Sequence, residues 1–380
     1  MSTASGYPLL QALAKVADFR KSRGKRHPLL AILALSCAAA LGGASSLTAV
    51  SQWGRDHSCE LLAKLGLTHF PGPSPATLWR VFGQLDAAAL EQALTEWWQA
   101  WLPALGPLAL DGKTVRGSRH GGQEALQLLA AFATQVRVVL AQRAVNHGDE
   151  ISTALALLEG LELEGWIVTG DAKLTQKALV EQVIAQGGDY VLTAKANQPT
   201  LCEDIATLFH DPQVVAETIT TTHQVDLHGS RIEVRTLQAS SALTAAYCGW
   251  PGLQQVFRVE RQRIDKRTGA RSAKVVFGIT SLPPARADAQ HLAAITRGHW
   301  GIENRLHWVR DVDFGEDASR IHTGQTPHVM AIFRNLAIGV LGLLGYDSPI
   351  EGMRHFAWNP ADAVKAVTKR LRLTTLTKMK

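Results

Sequence analysis

Cysteine is scarce in this chain, and its four cysteines lie far apart. Cys37, Cys59, Cys202 and Cys248 form no CxxC pair, and no histidines accompany them at zinc-finger spacing. This pattern argues against a disulfide framework and against a cysteine-based zinc module. It favours isolated thiols in a reducing compartment, so we expect a cytoplasmic protein.

Long uninterrupted apolar runs are also lacking. The run Leu29–Gly43 follows a basic segment, but that segment starts too far from Met1 for a signal peptide, and the run is too short to cross a bilayer. A second run, Val329–Gly345, is interrupted by Arg334 and Asn335. Both are predicted to be buried helices of a soluble protein that does not associate with membranes.

Acidic residues are outnumbered by basic ones, which gives a formal net charge of +6 and a pI near 9.2. A basic excess of this size is compatible with a polyanionic partner but does not establish one. With 380 residues, of which 46% are hydrophobic, the chain is long enough for two or three globular domains.

Helical spacing of apolar residues dominates residues 1–103, which we interpret as a helical N-terminal domain that binds DNA. Within it, Ser74 is a suitable N-cap and Pro75 suits the first helical position. The following helix, which carries Arg80, is either the second half of a helix-turn-helix or part of a helix hairpin in a small bundle. The sequence leaves these two alternatives open.

The period of the pattern changes after the linker WLPALGPLA. LALDGKTV, LQLLAAFA and VRVVLAQRAV are typical of three strands in a meander, and helices and strands then alternate. We therefore predict an α/β fold with a mixed sheet, whose first part covers residues 104–199. Residues 200–285 are predicted to be an inserted β-rich subdomain, residues 286–350 a helical completion of the core, and residues 351–380 a basic C-terminal tail.

Two aspartates stand at predicted strand ends of the α/β region. Asp111 lies in LALDGKT, and Asp171 closes the buried strand WIVTGD. Active-site groups of α/β proteins tend to lie at the carboxyl ends of strands. An Asp-Gly turn is the commoner explanation of Asp111 taken alone, whereas an N-cap of the next helix explains Asp171 about as well as an active-site role does.

A third carboxylate lies in the segment HWGIENRLHW, which holds two Trp and two His within ten residues although aromatic residues are only 6% of the chain. On a regular helix His299, Glu303 and His307 would share one face. These three cannot easily reach one zinc ion from a single straight helix, so a zinc site is disfavoured. The residues expected to pack on the core are Ile302, Leu306 and Val309.

Two aspartates and one glutamate suit hard divalent cations with oxygen ligands. Such carboxylates hold Mg²⁺, or Mn²⁺ as its substitute. Two ions about 4 Å apart stabilise the attacking and leaving oxygens of an in-line displacement. This is the chemistry of phosphodiester cleavage.

Five segments of the chain together resemble the DDE transposases of bacterial insertion sequences, in the group that includes the H-repeat-associated proteins. They are LALDGKTVRGS, WIVTGDAKLTQ, DYVLTAKANQP, GSRIEVR and RGHWGIENRLHWVRDVDFGEDASR. The resemblance implies a ribonuclease-H-like catalytic core with a β-rich insertion, in which Asp111, Asp171 and Glu303 are the metal ligands. It also implies cleavage of double-stranded DNA at element ends, strand transfer of the 3′-hydroxyl into target DNA, and a homodimer on DNA.

The chain departs from a Tyr, Arg, Glu, Lys signature that transposases with a β insertion carry around the glutamate. Thr296, His299, Glu303 and Arg310 stand at the corresponding positions. The grip of a histidine on phosphate depends on pH more than that of an arginine. Arg310 keeps the positive charge of the lysine.

Several polar and aromatic residues near the three acids are candidates for contacts with DNA. Trp300 or Trp308 could stack on an unpaired base, although each taken singly is more typical of a core residue. The spare acids Asp311, Asp313, Glu316 and Asp317 are predicted to cap helices or to pair with Arg320 and Arg334. The residues predicted to contact DNA are Lys113, Arg116, Lys195, His299, Trp300, Asn304, Arg305, His307 and Arg310.

Two alternative functions share these features. A catalytically inactive or domesticated DNA-binding protein derived from a transposase would keep the basic regions but cut nothing. A nuclease without strand transfer would share the acidic site and would release cut DNA without joining it.

Overall fold

The computed structural model describes residues 6–23, 25–102, 106–146, 148–211, 213 and 218–371. Its strands form a nine-stranded sheet with the order β3-β2-β1-β4-β5-β9-β8-β7-β6. The strands are β1 (Gly106–Val115), β2 (Leu126–Ala133), β3 (Val138–Ala144), β4 (Trp166–Gly170), β5 (Asp189–Ala194), β6 (Thr220–His228), β7 (Arg231–Ser240), β8 (Gln255–Asp265) and β9 (Arg271–Thr280).

Both parallel and antiparallel pairs occur in the sheet. β4 pairs in parallel with β1 and with β5, whereas β2 and β3, and the strands from β5 through β9 to β6, pair antiparallel. The order 3-2-1-4-5 of the first five strands is that of a ribonuclease-H-like core. The structure therefore confirms the predicted mixed α/β fold, including the three strands of the meander.

Helices flank the strands in sequence. They are α1 (Leu9–Leu13), α2 (Leu29–Leu41), α3 (Leu47–Asp56), α4 (Cys59–Ala63), α5 (Pro75–Gln84), α6 (Ala87–Trp101), α7 (Glu150–Glu159), α8 (Lys177–Ala185), α9 (Pro199–His210), α10 (Ala245–Cys248), α11 (Ala289–His299), α12 (Thr326–Leu343), α13 (Pro349–Trp358) and α14 (Pro360–Thr368).

Side-chain caps set the start of four consecutive N-terminal helices. Ser46, Ser58, Ser74 and Asp86 each accept a hydrogen bond from the backbone N–H three residues further on, which satisfies a donor that the helix leaves unpaired. The predicted cap at Ser74 is confirmed, as is Pro75 at the first helical position.

The chain divides into two compact units, and β1 contributes to both. The first unit contains residues 1–105, 112–148 and 301–380. Its core includes α2, which is buried on all sides and packs against α12, and α12 in turn packs on β3. Among the described residues, α12 alone is long and apolar enough to cross a membrane, but it is completely buried, as the core helix of a globular unit is.

The second unit contains residues 106–111 and 149–300. In this unit α11 packs on β4, β6 and β7, and an apolar core that includes Leu237, Phe257 and Leu292 forms beneath it. The predicted β-rich block is present as β6 to β9. It is not a separate sheet, because β9 pairs with β5 and so extends the central sheet.

The C-terminal segment differs from the loose tail expected for residues 351–380. Helices α13 and α14 occupy most of it, and Met353, Phe356 and Val364 are buried. The apolar spacing of these helices explains their packing. The remainder of the predicted tail, residues 372–380, and residues 103–105 of the predicted linker lie outside the described residues.

Candidate functional site

Asp111 and Asp171 occupy matching positions on two neighbouring strands of the second unit. β1 and β4 run parallel, with Ala109 opposite Thr169, and each aspartate follows two residues later. Paired strands lie about 4.8 Å apart, and residues two apart project from the same face. The register therefore brings Asp111, within β1, and Asp171, directly after the end of β4, to the same level of the strand pair.

Asp171 also caps the turn that follows β4. Its Oδ1 accepts hydrogen bonds from the backbone amides of Lys173 at 3.0 Å and Leu174 at 3.4 Å. The capping role considered for Asp171 is thus confirmed, although the turn is a short 3₁₀ turn rather than the start of α8. Both bonds engage the same oxygen, so capping fixes the orientation of the carboxylate and does not require Oδ2.

His299 is the last residue of α11 and lies against β4. Its Nδ1 is 3.0 Å from Oγ1 of Thr169, a buried residue two positions before Asp171. Burial lowers the pKa of His299 to about 4, and the nearby charge of Asp171 only partly offsets this. The imidazole is therefore neutral near pH 7, and Thr169 holds its orientation.

The lowered pKa of His299 makes stability depend on pH. In the unfolded chain this histidine has a pKa near 6.5 and is protonated below that pH. In the folded protein it becomes protonated only near pH 4. We expect the free energy of unfolding to be fully retained above pH 6.5 and to fall between pH 6.5 and 4, by at most about 1.4 kcal/mol per pH unit from this residue. Urea unfolding of wild type and His299→Gln over this range measures the effect.

The control for this prediction is His291→Gln, which removes an exposed imidazole from the same helix. The fall in the free energy of unfolding that is assigned to His299 should persist in this variant. An equal loss of slope in both variants would contradict the assignment to His299.

The segment that carries Glu303 is not a regular helix. After α11 it contains two π-helical stretches, Glu303–His307 and Val309–Asp313. Wide turns of this kind occur often at functional sites. Within the first unit, Oε2 of Glu303 lies 3.5 Å from Nδ1 of His307, and half of the Glu303 side chain is exposed.

The predicted packing face of this segment is confirmed, because Ile302, Leu306 and Val309 are all buried. The expectation that the tryptophans pack in the core is wrong. Trp300 is 64% exposed and Trp308 is 53% exposed, since both project away from the packed face.

Three residues predicted to contact DNA are buried instead. The Nζ of Lys113 donates to the Asp311 carboxylate at 2.7 Å, and His307 is only 5% exposed. Burial, together with the positive charges of Arg310 and Lys113, lowers the pKa of His307 to about 3, so it carries no charge for phosphate. Lys113, His307 and Arg310 are therefore removed from the set of DNA contacts.

Arg310 belongs to a buried ionic triad with Glu316 and Arg334. Arg310 is completely buried and binds both carboxylate oxygens of Glu316, at 2.9 and 3.0 Å, while Nη1 of Arg334 donates to Oε1 at 2.9 Å. Nη1 of Arg310 also donates to Gln142 on β3 at 3.2 Å. Of the predicted pairings of the spare acids, that of Glu316 with Arg334 is confirmed.

The remaining predicted contacts are accessible. Arg305 donates from Nη1 to the backbone carbonyl of Thr134 at 3.3 Å and is otherwise on the surface. Arg116 is well exposed, although its Nη1 lies 3.6 Å from Asp317. Lys195 and Asn304 are exposed as well.

Sequence reasoning missed Thr169 and Gln142. Thr169 looked like an ordinary strand residue of WIVTGD, and only the packing of α11 on β4 shows that it orients His299. Gln142 lies in β3. The alternation of apolar and polar residues in that strand does not reveal its contact with Arg310, which is 168 residues away in the sequence.

Comparison with protein families shows which family the chain belongs to. Residues 104–339 match the model described as "Transposase DDE domain", and residues 10–98 match a model described as "DDE_Tnp_1-associated". The chain belongs to the DDE transposase family. Its acid pair on β1 and β4 and the Glu303 segment all lie within the matched catalytic domain.

Relatives of similar length support this membership. The chain is 30% identical to "Putative transposase YncI" of Escherichia coli O157:H7, over 88% of this chain and 87% of the relative. It is 26% identical to "H repeat-associated putative transposase YhhI" of Escherichia coli strain K12, over 88% of this chain and 90% of the relative. The resemblance seen in the sequence motifs is thereby confirmed.

Proposed function

We propose that this DDE transposase cleaves DNA at the ends of an insertion sequence and transfers the freed 3′-hydroxyl into target DNA. Asp111, Asp171 and Glu303 would hold two Mg²⁺ ions, for which Mn²⁺ can substitute. The observation that carries the proposal is the matched register of Asp111 and Asp171 on neighbouring parallel strands. Carboxylates on neighbouring strands suit hard cations that also bind phosphate.

The donor set fits such ions. All three residues offer carboxylate oxygens, Asp171 is held in place by backbone amides, and Glu303 remains half exposed. When bound, the two ions would activate the attacking oxygen and stabilise the leaving one. The protein contributes position and charge rather than a covalent nucleophile.

Exposed residues, together with the partly buried His299, would hold double-stranded DNA. Arg and Lys contacts to phosphate fix the position of a duplex without reading its sequence. His299 can donate a hydrogen bond as a neutral imidazole, and the exposed Trp300 can stack on an unpaired base. The residues proposed for DNA contact are Arg116, Lys195, His299, Trp300, Asn304 and Arg305.

The location and assembly of the protein follow from this activity. A transposase that brings two element ends together needs at least a homodimer on DNA. We propose a cytoplasmic protein associated with the nucleoid, which is consistent with its basic charge.

The function is tested with the purified protein, a plasmid carrying the DNA that flanks its gene, and a second plasmid as target. We expect nicks at the flanking repeats and joined products in Mg²⁺ or Mn²⁺, and neither product in EDTA. Nicks without joined products would instead identify a nuclease. Binding without nicks in either metal would identify an inactive derivative.

A further inference from the structure

One face of the strands β6 to β9 carries a cluster of basic side chains. Antiparallel pairing places Arg235 opposite Arg261, Glu233 opposite Arg263, and Arg261 opposite Lys274. Directly opposed residues in such pairs project from the same face. These side chains therefore form one group on the face against which α11 packs, since Leu237 and Phe257 on that face lie in the core beneath α11.

Glu233 stands at the centre of this group. It is only 3% exposed, and its carboxylate accepts hydrogen bonds from Nη2 of Arg235 at 2.5 Å and Nη2 of Arg261 at 3.0 Å. Nε of Arg263 lies 3.9 Å away. A hydrogen bond from Arg261, followed by the charges of Arg235, Arg261 and Arg263, outweighs burial and lowers the pKa of Glu233. One anion thus fixes three guanidinium groups.

The cluster extends to the end of α11 through Asp226 on β6. Asp226 lies 2.9 Å from Nη1 of Arg235 and 3.0 Å from Nη1 of Arg297, which is on α11. The cluster thus includes Arg297 of the helix that ends at His299. His299 lies four residues before Glu303 in the sequence.

Positive charge exceeds negative charge on this face, which we call the basic face. It holds six cations, namely Arg231, Arg235, Arg261, Arg263, Lys274 and Arg297, and three acids, namely Asp226, Glu233 and Asp265. The side chains of Arg261, Arg263 and Arg297 are 36 to 47% exposed. These three cations are therefore both accessible and held by ion pairs.

The opposite face of the same strands has a different character. It presents the exposed apolar residues Val225, Leu227 and Val275, and its Arg258 is matched by Glu260 at 2.7 Å. Among the strand residues of this opposite face, the cations Arg258 and Arg271 exceed the acid Glu260 by one charge, whereas the cations of the other face exceed its acids by three. An ordinary solvated β-hairpin would distribute its charges over both sides.

Stability does not account for three arginines around one carboxylate. The buried carboxylate of Glu233 needs a cationic partner, but one guanidinium group would supply it, and neighbouring guanidinium groups repel one another. Pre-ordered guanidinium groups are well suited to a second, external anion, because their planar fork matches phosphate oxygens.

We propose that the basic face binds the phosphate backbone of duplex DNA. This inference rests on the proposed function and adds a DNA-contact surface on the strands β7 to β9, outside the residues around the three acids. Because phosphate contacts carry no sequence information, the face should hold element ends and unrelated duplexes alike.

The test compares two triple variants that remove equal charge. The basic-face variant removes three positive charges from the basic face and is Arg261→Gln/Arg263→Gln/Lys274→Gln. The control variant removes three positive charges from the turn and the opposite face of the same hairpin and is Lys266→Gln/Arg267→Gln/Arg271→Gln. Binding to an end-containing duplex and to an unrelated duplex is measured by fluorescence anisotropy at several salt concentrations. EDTA is present, so catalysis plays no part in the result.

We expect the basic-face variant to bind both duplexes at least about tenfold more weakly. The slope of log K against log salt should become shallower by about one for each phosphate that the variant no longer neutralises. The control variant should bind like wild type. Lys274→Gln alone, which leaves the Glu233 ion pairs intact, should reduce the slope by about one if the triple variant proves unstable in a thermal melt.

Equal losses of affinity in the two triple variants would overturn the inference, because net charge alone would then explain binding. So would unchanged binding of the basic-face variant, which would leave the proposed function intact. Weakened binding of the end duplex only would also overturn it, since that result would assign sequence reading to this face. Failure of wild type to bind any duplex would overturn the proposed function along with it.

Discussion

Glu303→Gln is expected to lower the rate of end cleavage in Mg²⁺ by about 10³-fold or more, while the affinity for DNA stays within about twofold. The substitution replaces a proposed metal ligand by a neutral amide, and charge stabilisation of the transition state is the largest contribution that such a site makes. Half of the Glu303 side chain is exposed, and its neighbour His307 is neutral near pH 7, so the fold should tolerate the change. Cleavage is followed on labelled end duplexes, and affinity is measured in EDTA.

The matched control is Glu351→Gln, which neutralises an exposed glutamate on α13 of the same unit. It should cleave like wild type. Asp171→Asn should fail as Glu303→Gln does. Full cleavage by Glu303→Gln would show that Glu303 is not a metal ligand, whatever the behaviour of Asp171→Asn.

Glu316→Ala is expected to lower the free energy of unfolding by about 3–5 kcal/mol, because it leaves two buried guanidinium groups without their anion. Burial alone would raise the pKa of Glu316, but the charges of Arg310 and Arg334 hold it below its ordinary value. The carboxylate thus stabilises the fold above the pKa it has when unfolded, and this stabilisation is lost as the pH falls through its lowered folded pKa. Urea unfolding at pH 7 measures the loss.

Glu96→Gln provides the control, since Glu96 pairs with Lys15 at the surface and both side chains are more than 40% exposed. A loss of no more than about 1 kcal/mol is expected there. If Glu316→Ala lost as little as the surface variant, the triad would have no role in stability.

The sequence predicted the individual strands because their signals are local, but it did not predict that β6 to β9 extend the central sheet. The strands around Asp111 and Asp171 are short apolar runs that end in turn residues, and the N-cap at Ser74 needs only its own helix. The helical face of Ile302, Leu306 and Val309 was also predictable, since apolar residues three or four apart mark a packed side.

The errors around Glu303 have a common physical origin. A π-helical stretch changes the hydrogen-bonding step within an otherwise helical pattern, and periodicity over so few residues does not reveal it. Whether Arg310 meets phosphate or Glu316 depends on long-range packing with β3, which no local pattern encodes. The same is true of Thr169, whose role needs the contact between β4 and α11.

The buried triad limits how this chain can diverge from its relatives. A lysine at position 310 would supply only a point charge, whereas this chain needs a fork that reaches Glu316 and Gln142 together. A substitution of one member leaves the other two charges buried without their partner. Inherited substitutions at these positions should therefore occur jointly or not at all. Covariation of positions 310, 316 and 334 across a lineage would then be the evolutionary trace of a buried charge balance.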